Sequence, residues 1–117
     1  MATFTPKELV YPVLVTSGTD QLLYTATGVV ALVQTIHFQR KLFPAVDPIT
    51  PGYPVEVSRE VPSESAVLAR AAPERGCSVV RCLTAVIPSG GTIRAKLTLG
   101  IFAPPSPSVA VYGFEIS

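Results

Sequence analysis

The chain holds one histidine, His37, two cysteines, Cys77 and Cys82, and two aspartates, Asp20 and Asp47. A nucleophile–base pair would need His37 beside a Ser, Thr or Cys and oriented by an acid. His37 instead falls late in an apolar run, next to Ile36 and Phe38, and both aspartates fall in loop-like sequence. It reads as a structural histidine at a strand end. On a single extended strand, Cys77 and Cys82 would stand about 16 Å apart on opposite faces. A disulfide needs Cα atoms within about 7 Å, and two thiols with no further ligands make a poor zinc site. They read as small apolar core or boundary residues.

The carboxylates are equally scattered. Glu56 and Glu60 lie in a charged, solvated stretch, and Glu115, between Phe114 and Ile116, is expected to face solvent or pair with an arginine. Neither placement supplies the paired acids of a glycosidase cleft. The glycine-rich Pro88-Ser89-Gly90-Gly91-Thr92 lacks the lysine and following helix of a phosphate loop and suits a hairpin turn, with Gly supplying positive φ. Arg70, Arg75, Arg81, Arg94 and Lys96 are diluted by Glu64 and Glu74, and few aromatics are placed to stack bases. A net charge of +1 gives no general pull toward nucleic acid or acidic membrane. No catalytic residue, cofactor site or metal site is therefore assigned. The expectation is a non-enzymatic protein that binds neither nucleic acid nor membrane.

The elements that carry these residues read as β almost throughout. Leu9–Val15 is a strand placed at an edge or bulged by Pro12, and Gln21–Thr25 is a short one. Gly28–Phe38 has Val29, Ala31, Val33, Thr35 and His37 on one face and Val30, Leu32, Gln34, Ile36 and Phe38 on the other. Both faces are rich in apolar and β-branched residues, which predicts a central strand covered on both sides. Val55–Ser58 alternates briefly. Ser63–Ala72 has a capping serine and helix-favouring alanines before Pro73, so it reads as one short helix with a strand as the alternative. Cys77–Ile87 is extended. Ile93, Ala95, Leu97 and Leu99 alternate with Arg94, Lys96 and Thr98, which suits a strand with one wet face. Val109–Ile116 closes the chain.

At 117 residues the chain makes one domain. The predicted division is a polar N-terminal arm over 1–8, unordered unless something holds it, and one β-domain over 9–117. That domain carries a proline-rich loop at about 40–54, and loops of this length in compact domains are commonly functional. The fold class is an all-β antiparallel sandwich, jelly-roll-like, with seven or eight strands and at most one short helix. Charged residues are 15% of the chain, below the usual quarter, so much of its surface is uncharged, which fits either partial cover by partners or simply a Pro- and Ala-rich sequence with neutral loops. No apolar run reaches the ~18 residues of a membrane helix, and the N-terminus lacks the pattern of a secretory signal.

The order of pieces resembles small tailed-bacteriophage virion proteins of the head-fibre, capsid-decoration or minor-tail type. The matching stretches are Met1-Ala2-Thr3-Phe4-Thr5-Pro6-Lys7; Leu23-Tyr24-Thr25-Ala26-Thr27-Gly28 followed by Ala31 to His37; Ile87-Pro88-Ser89-Gly90-Gly91-Thr92-Ile93; and Val109-Ala110-Val111-Tyr112-Gly113-Phe114-Glu115. They cover about half the chain from both ends, and roughly 39–75 departs. The resemblance implies a β-sandwich in the virion, assembled in the host cytoplasm, that binds the major capsid protein or other virion proteins. It also implies a homo-oligomer, by analogy a trimer. Head placement as a decoration protein is the first expectation, and a minor tail or neck protein is the alternative. A carbohydrate-binding module is an alternative of another class, disfavoured by the absence of Trp. The expected contact residues are Phe4, Pro6 and Lys7 in the arm and Phe43, Val46, Ile49 and Tyr53 in the loop. Deleting 1–8 is expected to abolish particle binding and spare the fold.

Overall fold

In the computed structural model, residues 2–15, 20–41, 54–74, 76–97 and 107–117 are described. They form eight strands: β1 Phe4–Leu14, β2 Gln21–Thr25, β3 Val30–Arg40, β4 Val55–Val61, β5 Glu64–Ala71, β6 Ser78–Ile87, β7 Thr92–Leu97 and β8 Pro107–Ile116. β1 pairs with β8, β2 with β7, β3 with β6 and β4 with β5, all antiparallel. Each strand thus pairs with the one equally far from the other end of the chain, as in a single long hairpin whose tip is Pro62-Ser63. Two further pairings, β3 with β8 and β4 with β7, fold that hairpin over. The outcome is two four-stranded sheets, β1-β8-β3-β6 (sheet A) and β2-β7-β4-β5 (sheet B). This strand order is that of a jelly roll, so the all-β antiparallel sandwich read from the sequence is the observed class.

The core lies between the sheets. Val33, Ile36, Phe38, Ile87, Val109 and Val111 of sheet A and Val55, Val57, Ile93 and Ala95 of sheet B have no exposed surface. Burying a side chain of this size contributes about 1.5–3 kcal/mol. β7 alternates as expected, with Ile93, Ala95 and Leu97 inside and Arg94 and Lys96 outside.

β3 corrects the idea of two covered faces. Its inward set is Ala31 and Val33, then Ile36, Phe38 and Arg40. The set changes parity because the pairing slips between Val33 and Thr35 in both of its ladders. A bulge there places Gln34 and Thr35 on the same side. The apolar residues of both parities are therefore one core stripe broken in phase, with the remainder outside. Gly113 makes the slip possible. It sits opposite Val33, and a Cβ on it would lie 1.8 Å from the Leu32 carbonyl oxygen.

Three other expectations are corrected. Residues 4–8 are not a loose arm. They begin β1, with Phe4 opposite Ile116, and Thr3 and Ser117 exchange two backbone hydrogen bonds of 2.9 and 3.0 Å. Pro6 and Pro12 are tolerated because β1 is an edge strand. Glu64–Ala71 is strand, not helix, because a two-residue turn delivers it onto β4, whose ladder overrides a weak alanine preference. Cys77 and Cys82 are both exposed. Cys77 precedes β6, and Cys82 lies opposite Thr35 on the outward side of an edge strand.

The turn Pro88–Gly91 forms as read. Gly90 has φ of +88°. The Gly91 N–H donates to Pro88 O at 2.8 Å, the Gly90 N–H donates to Ala26 O at 2.7 Å, and the Ala26 N–H donates to Gly91 O at 3.0 Å. This turn, Pro62-Ser63 and the short β2–β3 connection gather at one end of the sandwich. The segments that follow β1, β3, β5 and β7 leave from the other end, where Leu14, Gln39 and Ser78 align with Ser108 or with each other.

Glu115 also departs from expectation. It pairs with Thr5 and Ala31, a core-facing row, and turns into the end of the sandwich. There Tyr24 Oη of sheet B donates to its Oε2 at 2.7 Å and Lys7 Nζ to its Oε1 at 2.9 Å. The Tyr24 bond, then that of Lys7, hold the Glu115 carboxyl below its ordinary value, against the opposing effect of burial. Burial, then the bond and charge of Glu115, push the Tyr24 hydroxyl well above the usual tyrosine range. Lys7 is half exposed, so its ion pair contributes little, and the Tyr24 bond is the stronger of the two.

Gly113→Ala is expected to lower stability by about 3 kcal/mol, because the new methyl has only backbone to push against; a denaturant midpoint equal to wild type would contradict the close approach. For the clamp, the lowered Glu115 value means its stabilisation is complete above the ordinary carboxylate value near 4.5 and fades as pH falls below it. The raised Tyr24 value means its stabilisation holds below pH 10 and fades above it. Glu115→Gln should flatten the acid limb of a melting-temperature profile. Tyr24→Phe should cost about 1.5 kcal/mol at neutral pH and flatten the alkaline limb.

Candidate interaction surface

The two outward faces of the sandwich differ in kind. On sheet B the register aligns Arg70, Glu56 and Lys96 in one row and Glu60 with Ser65 and Thr92 in another. Arg70 Nε lies 2.9 Å from Glu56 Oε2 and Arg94 Nε lies 3.0 Å from Glu60 Oε2. Arg59, in the inward row opposite Ile93, pairs with Glu64 at 2.7 Å at the rim of the sandwich and not on this face. Glu56 and Glu60, read from the sequence as merely solvated, thus neutralise two of the cations of the supposed basic patch. Exposed pairs of this type add at most about 1 kcal/mol each, but they neutralise most of the charge on a face that also carries Lys96 and the exposed Leu22 and Val67.

Sheet A carries apolar side chains on its outer face. Strand alternation puts Phe4, Pro6 and Glu8 of β1 on this side, with their partners Ile116, Phe114 and Tyr112 of β8. The next strand continues the rows with Val30, Leu32 and Thr35, and β6 adds Val86 and Cys82. One row reads Phe4–Ile116–Val30 and the next Pro6–Phe114–Leu32–Val86. Phe4 is 59% exposed and Val86 47%. Both rows lie at the tight-turn end, so the apolar area is contiguous and rimmed by Glu8, whose charge and hydrogen bond, after burial, raise the Tyr112 hydroxyl above its ordinary value. Further along, His37 stands edge-on to Tyr112, with ring centroids 6.0 Å apart and planes at 86°. Contiguous apolar areas of this kind mark interaction sites on soluble proteins.

Of the residues singled out in the sequence, Phe4 and Pro6 lie on this face. Lys7, one position on, alternates to the inner side and is engaged with Glu115. Phe43, Val46, Ile49 and Tyr53 lie outside the described residues. The 1–8 deletion would remove half of an edge strand together with Lys7 and cannot separate binding from folding. Sequence reasoning missed Val30, Leu32, Val86, Phe114 and Ile116. The available signal was the surplus of apolar residues on both parities of β3, which the phase break divides between core and surface.

A comparison with models of known protein families gives no match, and a search of curated proteins likewise gives none.

If the outer face of sheet A serves binding and not packing, Phe4→Ser and Val86→Ser should each change stability by no more than about 0.5 kcal/mol. Val57→Ala, in the core, should cost about 2 kcal/mol. Urea titrations of the three variants decide this, and a large loss from Phe4→Ser would make the face structural.

Proposed function

We propose that this protein is a structural component of a tailed-phage virion, seated on the outside of the head as a decoration protein. The observation that carries the reading is the apolar outer face of sheet A, with Phe4, Leu32, Phe114 and Val86, set against the ion-paired face of sheet B. A sandwich with its ion pairs on one outer side and contiguous apolar rows on the other suits a protein that lies with one face down on a larger surface. The jelly-roll order is one that viral capsid domains use, which supports the reading by analogy of fold alone. The sequence resemblance to head-fibre, decoration and minor-tail proteins points the same way. The partner is the major capsid protein or another virion protein, and binding proceeds by burial of apolar area. A specific contact would bury on the order of 1,000 Å² in total, with polar neighbours such as Glu8 and Tyr112 at its rim.

The test is the copy number per purified particle, measured by quantitative mass spectrometry against the major capsid protein. A count that matches the head lattice supports decoration. A count that matches a single ring moves the protein to the tail or neck. Absence from particles overturns the virion reading and brings forward carbohydrate binding, which a glycan array would examine. Within the virion reading, Phe4→Glu combined with Leu32→Glu should weaken particle binding at least about tenfold with the fold intact by circular dichroism.

A further inference from the structure

A sheet edge exposes unpaired backbone donors and acceptors, and folded proteins protect such edges with prolines, charges, bulges or shortness. Three of the four edges here are protected in this way. β1 carries Pro6, Lys7, Glu8 and Pro12 and two register shifts. β2 has five residues and one shift. β5 has charges near both ends, Glu64 and Arg70, each already in an ion pair. β6 is the least protected, with ten residues, Ser78–Ile87, no proline or glycine, Arg81 as its single charge and one register shift against β3, between Cys82 and Ala85. Among the described residues no strand pairs with its second side. Ser78, Val80, Cys82, Thr84 and Val86, its outward residues, are all exposed and all uncharged.

We propose that β6 pairs with β6 of a second copy of this chain, antiparallel about a twofold axis, so that the two A sheets join into one sheet of eight strands. The strand's own sequence favours a second copy over an unrelated strand. Residues opposed across such an axis must come from the same face, so the axis passes through a residue position and not between two. An axis at Arg81 would set two guanidinium groups directly opposite each other, which is unfavourable. An axis at Leu83 would bring Val86 opposite Val80, inside the ladder. The Val86 carbonyl is already taken there by Arg59 Nη1 at 2.9 Å. An axis at Cys82 avoids the first problem and moves the second to the ladder's end. Val80 then faces Thr84 of the second copy, Arg81 faces Leu83, Val79 faces Ala85, and Val86 falls at the ladder's end opposite Ser78. β-Branched residues meet across the join, which is the favourable cross-strand chemistry. This contact uses the edge of sheet A and leaves the Phe4–Leu32–Phe114 face open, so it stands or falls apart from the proposed function.

The test is the mass of the purified full chain under reducing conditions, by light scattering across a dilution series. Twice the 12.4 kDa chain mass is expected. Val80→Lys with Thr84→Lys sets like charges opposite one another twice, and the mass should halve while circular dichroism stays unchanged. Val80→Lys with Thr84→Glu sets opposite charges in the same places and should restore the dimer, which tests the register as well as the edge. Mild oxidation should crosslink the dimer through Cys82, a link lost in Cys82→Ser and kept in Cys77→Ser. A wild-type monomer or trimer, a dimer that survives the double lysine variant, or crosslinking through Cys77 alone would each overturn the proposal.

Discussion

The antiparallel embrace of the last strand by the first and the third is the constraint on which the rest depends. β8 lies between β1 and β3, and without it sheet A is two disconnected pieces. Its close approach to β3 at Gly113 sets the bulge, the bulge sets which side chains of β3 face the core, and that choice leaves Leu32 and Val30 outside. Farther along β8, Glu115 reaches across to Tyr24 of sheet B and to Lys7 of β1. One strand thus fixes the sheet, the phase of the core and a polar tie between the layers.

Regular strands were legible from sequence because their signal is local. Ile93, Ala95 and Leu97 alternate without interruption, and Pro88–Gly91 has the residues a turn needs. The departures share a non-local cause. The phase break in β3 is imposed by a glycine some eighty positions away, so no window around Gln34 reveals it. Glu64–Ala71 has a composition neutral enough to follow whatever β4 dictates. Residues 4–8 look like a loose polar end until the far terminus supplies a partner. Phe4 and Pro6 were recognisable as contact residues by type. The rest of their surface was not, because an apolar side chain on a strand declares burial without saying on which side.

The scarcity of charge becomes intelligible in this setting. Most of the charged residues in the described strands are spent in pairs, Arg70 with Glu56, Arg94 with Glu60, Arg59 with Glu64 and Lys7 with Glu115. These pairs gather on sheet B and at the end of the sandwich. The outer face of sheet A keeps Glu8 near its middle and is otherwise built from uncharged side chains. The two sides therefore present different solvation to any surface the protein meets, and orientation on that surface follows from hydration before any specific contact forms.

The nested pairing also has a kinetic side. Among the described residues only Pro62-Ser63 joins partners that are neighbours in sequence, and every other ladder must close a longer loop, up to the 108-residue separation of Lys7 and Glu115. Closure entropy grows slowly with loop length, by about 0.6 kcal/mol per doubling, but it is spent before the contacts that repay it exist. Non-local sandwiches of this kind fold on the order of milliseconds to seconds. During synthesis β3 and β6 can meet early, while the side of β3 reserved for β8 stays bare until β8 emerges. For that interval the nascent chain displays, on a strand that carries much of the core, an edge that the finished molecule conceals.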